Sequence, residues 1–158
     1  MPDTPSENIR LRSRLADRWH PRKAAHPERD VAALAYEAFC ATHRPVYSLY
    51  AAARLGSDRL GDEATGAALN ALVPMWSSAL TCAAPASVSW LLLTAAVDAR
   101  SRPGCDPVAG LPRLQADAVI LRNQLGLPSR VAAAAMGLPL SEFAMVYSAA
   151  LRATPQNS

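Results

Sequence analysis

The stretch Leu121–Arg152, LRNQLGLPSRVAAAAMGLPLSEFAMVYSAALR, decides how the chain is read. Ser129 to Met136 is short and alanine-rich, which predicts a compact helix. Gly137 is its expected C-terminal cap, because glycine enters the left-handed conformation at little cost. Pro139 sits just past that stop and restarts the chain near the first turn of the next helix. The second helix is predicted over Leu140–Arg152, where Phe143, Val146, Tyr147 and Ala150 follow the i, i+3, i+4, i+7 spacing of a buried face. Helix, glycine turn, helix is the outline of a helix-turn-helix, whose second helix usually enters the major groove of DNA. A plain helical hairpin around a Gly-x-Pro turn has the same outline, so the rest of the chain has to arbitrate.

With 158 residues, 51% of them hydrophobic, the chain is long enough for one ordinary domain or two small ones with a real core. Only 18% are charged, and much of the apolar share is alanine, which suits closely packed helices. No alternating run of strand formers occurs, and no Asn-Gly or Asp-Gly turn separates candidate strands. The expected fold class is all-α. The net charge of +3 is unevenly placed. Residues 1–30 hold seven Lys/Arg and five Asp/Glu, whereas residues 31–158 hold nine and eight and are nearly neutral. Cys40, Cys82 and Cys105 form no C-x-x-C pair and stand apart from His20, His26 and His43. That argues against a zinc site or a disulfide framework and for buried thiols in a reducing cytoplasm. No cofactor is expected. Residues 1–30 lack the apolar segment of a signal peptide, and the most apolar run, Val88 to Val97, is too short to span a bilayer.

Along the chain, residues 1–29 read as a flexible basic arm, rich in Pro, Arg and polar groups. Asp30 is the expected cap of a helix over Val31–Leu55, kinked at Pro45, with Leu34, Phe39, Val46, Leu49, Tyr50 and Ala53 on its apolar face. Asp58 is the expected cap of a segment running to Trp76, its last turn shortened or bent by Pro74. Pro85 opens a further helix to Arg100, whose core residues are Trp90, Leu91, Leu93, Ala96 and Val97. The proline- and glycine-rich run 101–112 marks the one clear internal boundary. The expected organisation is therefore a helical bundle over 30–102, a linker over 103–112, a helix-turn-helix unit over 113–153 opened by a helix from Leu114 to Gln124, and a tail over 154–158. A unit of about forty residues buries too little surface to stand alone, so the second is expected to dock on the first or on a partner.

This layout resembles a small sigma factor of the extracytoplasmic-function type. Tyr36-Glu-Ala-Phe, His43-Arg-Pro, Tyr50-Ala and Ala53-Arg-Leu-Gly56 resemble the first helix of that family's promoter-melting domain two. Asp62-Glu63-Ala64 with Leu69, Leu72 and Trp76 resemble its second helix, and Pro85, Trp90, Leu91 and Asp98-Ala-Arg100 its third. Leu121-Arg122, Leu125, Leu127, Ala133, Met136-Gly137 and Ala150 resemble the helix-turn-helix domain four that reads the upstream promoter element. An arginine-heavy composition with Lys23 as the only lysine suits a high-GC bacterium. The resemblance implies a cytoplasmic transcription regulator whose partners are core RNA polymerase, promoter DNA and an anti-sigma or other regulatory protein. Carried over by position, Asp62 and Glu63 are the expected polymerase contacts. Arg152, Arg100 and Arg102, with Ser141, Ala144, Met145 and Ser148 on the same face as Arg152, are the expected DNA contacts.

The chain departs from the family where its function is carried. Gly66 and Ala67 replace the acidic and amide residues that grip the polymerase, and Ala95 and Ala96 replace the arginine and asparagine that approach the melted strand. Alanine offers a flipped base neither a stacking platform nor a hydrogen-bonding edge. Trp90 is aromatic but fits the core pattern. Ala144, Val146, Ala149 and Leu151 stand where the family presents basic residues. A second reading follows: a sigma-derived interaction module that binds polymerase, a sigma factor or an anti-sigma protein without reading a promoter. An enzyme is not expected, since no Gly-rich phosphate loop, paired carboxylates or Ser/His/Asp arrangement is present.

Overall fold

The structure is a computed structural model that describes residues 27–104 and 108–154. The chain divides into two compact units, Met1–Ala33 and Leu34–Ser158, and the second contains the hydrophobic core. Every regular element among the described residues is helical. Helix α1 spans Pro27–Leu55 and passes through Pro45 unbroken, α2 spans Asp58–Leu72, and a 3-10 turn over Val73–Met75 leads into the short α3, Trp76–Thr81. Helix α4 spans Pro85–Asp98. After the turns that follow it, α5 spans Arg113–Val119 and continues as a π-helical turn over Ile120–Gln124. Helices α6, Ser129–Met136, and α7, Leu140–Ala153, close the fold.

The helices before residue 101 and those after residue 112 share one core. Tyr47, Tyr50, Leu69, Leu93 and Val97 from the first set bury together with Ile120, Leu121, Ala132, Met136 and Phe143 from the second. Small side chains make this possible. Ala132, Ala133 and Ala135 leave α6 thin enough to lie close to its neighbours. Gly137 has φ +68°, the left-handed cap expected of it, and a second constraint holds it there. A Cβ at this position would collide with the backbone nitrogen of Ser87, whose hydroxyl donates to the Gly137 carbonyl at 2.9 Å. Thus the turn between α6 and α7 lies directly against the first turn of α4.

Several expectations are corrected. Helix α1 begins at Pro27, a residue suited to a first turn, so Asp30 lies inside the helix rather than at its cap. The cap of α2 is Ser57, whose Oγ accepts from the Leu60 nitrogen at 3.3 Å, and not Asp58. Leu34 and Leu49 are exposed because the buried stripe of α1 runs through Tyr47, Tyr50, Ala51 and Arg54. At about 100° per residue Leu49 lies roughly 200° around from Tyr47, on the opposite side. Leu91 is 69% exposed. Helix α4 is apolar nearly all round, so periodicity could not tell its inner face from its outer one. Cys82 is exposed and Cys40 half-buried, so neither is a fully buried thiol. Cys105, His20, His26 and the arm up to residue 26 lie outside the described residues.

Two glycines in α2 set opposite expectations. A Cβ on Gly61 would lie 2.6 Å from the backbone nitrogen of Ala52, so α1 and α2 cross with backbone against backbone at that point. Gly66 has nothing within 4 Å of its would-be Cβ. Gly66→Ala should therefore stabilise the protein by about 0.5–1 kcal/mol through helix propensity. Gly61→Ala should destabilise it by about 1–3 kcal/mol through overpacking. Urea unfolding midpoints of the two variants read the difference, and equal shifts in one direction would refute the close crossing.

Candidate functional site

The outer face of α7 is the first candidate. Phe143 and Ala150 point inward and are fully buried. The Phe143 and Tyr147 rings stack with centroids 6.2 Å apart. Tyr147 donates its hydroxyl to Asn123 Oδ1 at 2.6 Å, and the Arg122 guanidinium lies over its ring at 5.6 Å. These contacts fix the rotation of the helix, and Ser141, Ala144, Met145, Ser148 and Arg152 are left on its exposed side. The chain bends by 103° between α6 and α7 across Gly137-Leu138-Pro139. That angle and a turn of this length are those of a helix-turn-helix. The exposed face is poor in charge. Arg152 is basic and Glu142 acidic, while Leu140, Met145 and Leu151 are exposed apolar side chains and Met145 is 66% exposed.

The other residues singled out from sequence lie elsewhere. Asp62 and Glu63 are exposed on α2, with Glu63 paired to Arg59 at 2.6 Å. Arg100 and Arg102 do not belong to the α7 face. They follow α4 and line a cavity of about 350 Å³ with Arg54 and Ser57. Trp90 is a core residue, 3% exposed, and makes no platform for a base. Ala95 is exposed and Ala96 half-buried.

Sequence reasoning missed a buried polar cluster. Asp117 on α5 is 1% exposed and is faced from three helices. Tyr50 on α1 donates to its Oδ1 at 2.5 Å, and Trp90 on α4 donates Nε1–H to its Oδ2 at 3.3 Å. Arg54 Nη1 lies 3.4 Å from Oδ1 and also donates to the Tyr50 hydroxyl at 3.1 Å, while Arg113 Nε stands 3.9 Å away. Asp98, at the end of α4, pairs with Arg54 at 3.5 Å and with Arg113 across the intervening turns. Burial pushes the Asp117 pKa above its ordinary value, against the pull of the Tyr50 hydroxyl, the two arginines and the Trp90 N–H. Burial and the neighbouring Asp117 charge likewise push Tyr50 up. One signal was available. Between Asp106 and Glu142, Asp117 is the only acidic residue, and it stands inside the apolar run Ala116-Asp-Ala-Val-Ile-Leu121. A lone carboxylate there needs partners.

Among the described residues there is no group of three or more His, Cys, Asp or Glu able to hold a metal ion, and no single helix long and apolar enough to cross a membrane. No protein-family model, no curated protein and no solved structure matches the chain.

Two outcomes are expected for Asp117. Asp117→Ala leaves the Tyr50 hydroxyl, the Trp90 N–H and Arg54 facing a buried gap, and should lower stability by about 3–5 kcal/mol in chemical denaturation. The pH dependence follows from the raised pKa. The folded state holds the Asp117 proton more tightly than the unfolded chain does. This contribution is complete below the ordinary value of 3.8 and is lost as pH rises through the folded-state pKa. The stability difference between wild type and Asp117→Ala should therefore shrink as pH rises from about 4. A difference that grows with pH would reverse the assignment.

Proposed function

We propose that this chain is a sigma-factor-like transcription regulator that binds core RNA polymerase and sets α7 against promoter DNA. The observation that carries the reading is the pair α6–α7. Its 103° bend, its left-handed Gly137 and the exposed outer side of its second helix suit a helix that enters a groove. Arg152 is the basic residue on that side, and Ser141 and Ser148 offer hydroxyls to phosphate or base edges. On α2, exposed Asp62 and Glu63 occupy the positions that the resemblance assigns to the polymerase.

A second reading has its own support. With Leu140, Met145 and Leu151 exposed beside a single arginine, the outer side of α7 also has the composition of a surface that docks in a protein groove. The alternative is then a sigma-derived module that binds polymerase, another sigma factor or an anti-sigma protein and leaves promoters unread.

The polymerase arm is tested by retention of the full chain on immobilised core RNA polymerase. The wild-type chain should be retained, and Asp62→Lys/Glu63→Lys should lose at least about tenfold in affinity, as expected for truncated or reversed charges at an interface. Unchanged retention would remove both residues from the contact. The surface of α7 is tested by Met145→Arg. One added phosphate contact should strengthen DNA binding and steepen the salt slope by about 0.9. No change in either would place α7 away from the DNA.

A further inference from the structure

The cavity beside Arg54 has a composition that neither reading of α7 uses. It has a volume of about 350 Å³, is open on one side, and is lined by Arg54, Gly56, Ser57, Leu60, Arg100 and Arg102 among others, with no carboxylate in its lining. Arg54 is the fixed member. Its side chain is 5% exposed, held by Asp98 and Asp117, and its Nε has no hydrogen-bond partner among the described residues. Arg100 gives Nη1–H to the Ala96 carbonyl at 2.9 Å, which anchors its guanidinium at the end of α4. Ser57 caps α2, so the amino end of a fifteen-residue helix opens at the same place. Helix amino ends and arginine forks both favour phosphate oxygens. Three arginines, Arg54, Arg100 and Arg102, line the cavity, and of these Arg54 is paired with Asp98 and Asp117. Asp58, the acidic residue next to Ser57, lines a neighbouring groove that shares Gly56 and Ser57 with the cavity.

We propose that this cavity binds a small phosphate ester. The phosphate sits among Arg100, Arg102 and the amino end of α2, with the Arg54 charge behind it, and the organic part rests on Leu55 and Leu60. The volume lies at the lower end of the range for small-molecule sites and suits a ligand of about mononucleotide size. The same chemistry is offered by a backbone phosphate of a nucleic acid, but the small volume of about 350 Å³ favours a free ester. The proposal is independent of the transcription reading, and its test contains neither polymerase nor promoter.

The test is calorimetric titration and thermal unfolding of the full chain at fixed ionic strength. The probes are inorganic phosphate, adenosine 5′-monophosphate, adenosine and a short duplex of arbitrary sequence. Phosphate and the monophosphate should bind at one site and raise the unfolding temperature by about 3 °C at tenfold excess over Kd. Adenosine should do neither. Arg100→Ala/Arg102→Ala changes residues outside the buried core and should weaken both phosphate probes at least tenfold. A wild-type chain that ignores both phosphate probes would overturn the proposal, as would equal binding by wild type and double variant. Binding of the duplex alone would assign the arginines to nucleic acid instead and would equally overturn it.

Discussion

The fold depends on one carboxylate. Asp117 enters the core with its carboxyl group facing Tyr50, Arg54 and Trp90, which donate to it from α1 and α4. A carboxylate without partners is very unfavourable in such a place, so the contact acts as a registry pin. The donors of α1 and α4 converge on α5 at this carboxylate, and a shift of α5 along them would part it from its donors. The surrounding apolar residues then follow: Ile120 and Leu121 come down beside Tyr47 and Trp90, and α6 and α7 close over them. Asp98 and Arg113 add a second tie across the turns between α4 and α5. The helices on either side of the proline- and glycine-rich run at 101–112 therefore share a core, and the forty residues after it gain from their neighbours the burial that their own length cannot supply.

Much of this was legible. Helix α6, its glycine cap and the start of α7 were readable to the residue because Gly137 and Pro139 leave the backbone few options. Pro85 announced α4 for the same reason. Faces were harder. Leu34, Leu49 and Leu91 are as apolar as the residues that bury, and in alanine-rich or wholly apolar helices the hydrophobic pattern does not select a side. Ser57 and Asp58 are both competent caps standing next to each other, so only geometry separates them. The polar cluster was hidden by sequence distance: Tyr50, Trp90 and Asp117 belong to three elements, and no local spacing links them. In the sequence Arg54 and Asp98 are matches to a family pattern and nothing more, whereas their ion pairs with each other, Asp117 and Arg113 tie the helices together.

The resemblance to sigma factors and the departures from it are spread over core and surface. Leu69, Leu72, Trp76, Leu121, Ala133, Met136 and Ala150, which carry part of the resemblance, are buried, whereas Asp62, Glu63 and Leu91 are exposed. Of the departing residues, Ala95, Ala144 and Leu151 are exposed and Gly66, Ala67, Ala96, Val146 and Ala149 are half-buried. Core positions constrain the fold, and function is carried by the side chains presented to solvent. Arg152 and the hydroxyls of α7 remain as groups that could meet DNA, Asp62 and Glu63 as groups for polymerase. Arg100 and Arg102, expected as DNA contacts, line a cavity with Arg54.

The placement of α7 on DNA is tested most directly by a gel shift of the full chain, in the presence of core RNA polymerase, with promoter fragments at low and at moderate salt. The account predicts a shifted complex at low salt that weakens as salt rises, because phosphate contacts release counterions, and that is lost with Arg152→Glu. A chain that binds polymerase but produces no protein-dependent shift at low salt would contradict it and leave α7 as a surface for protein.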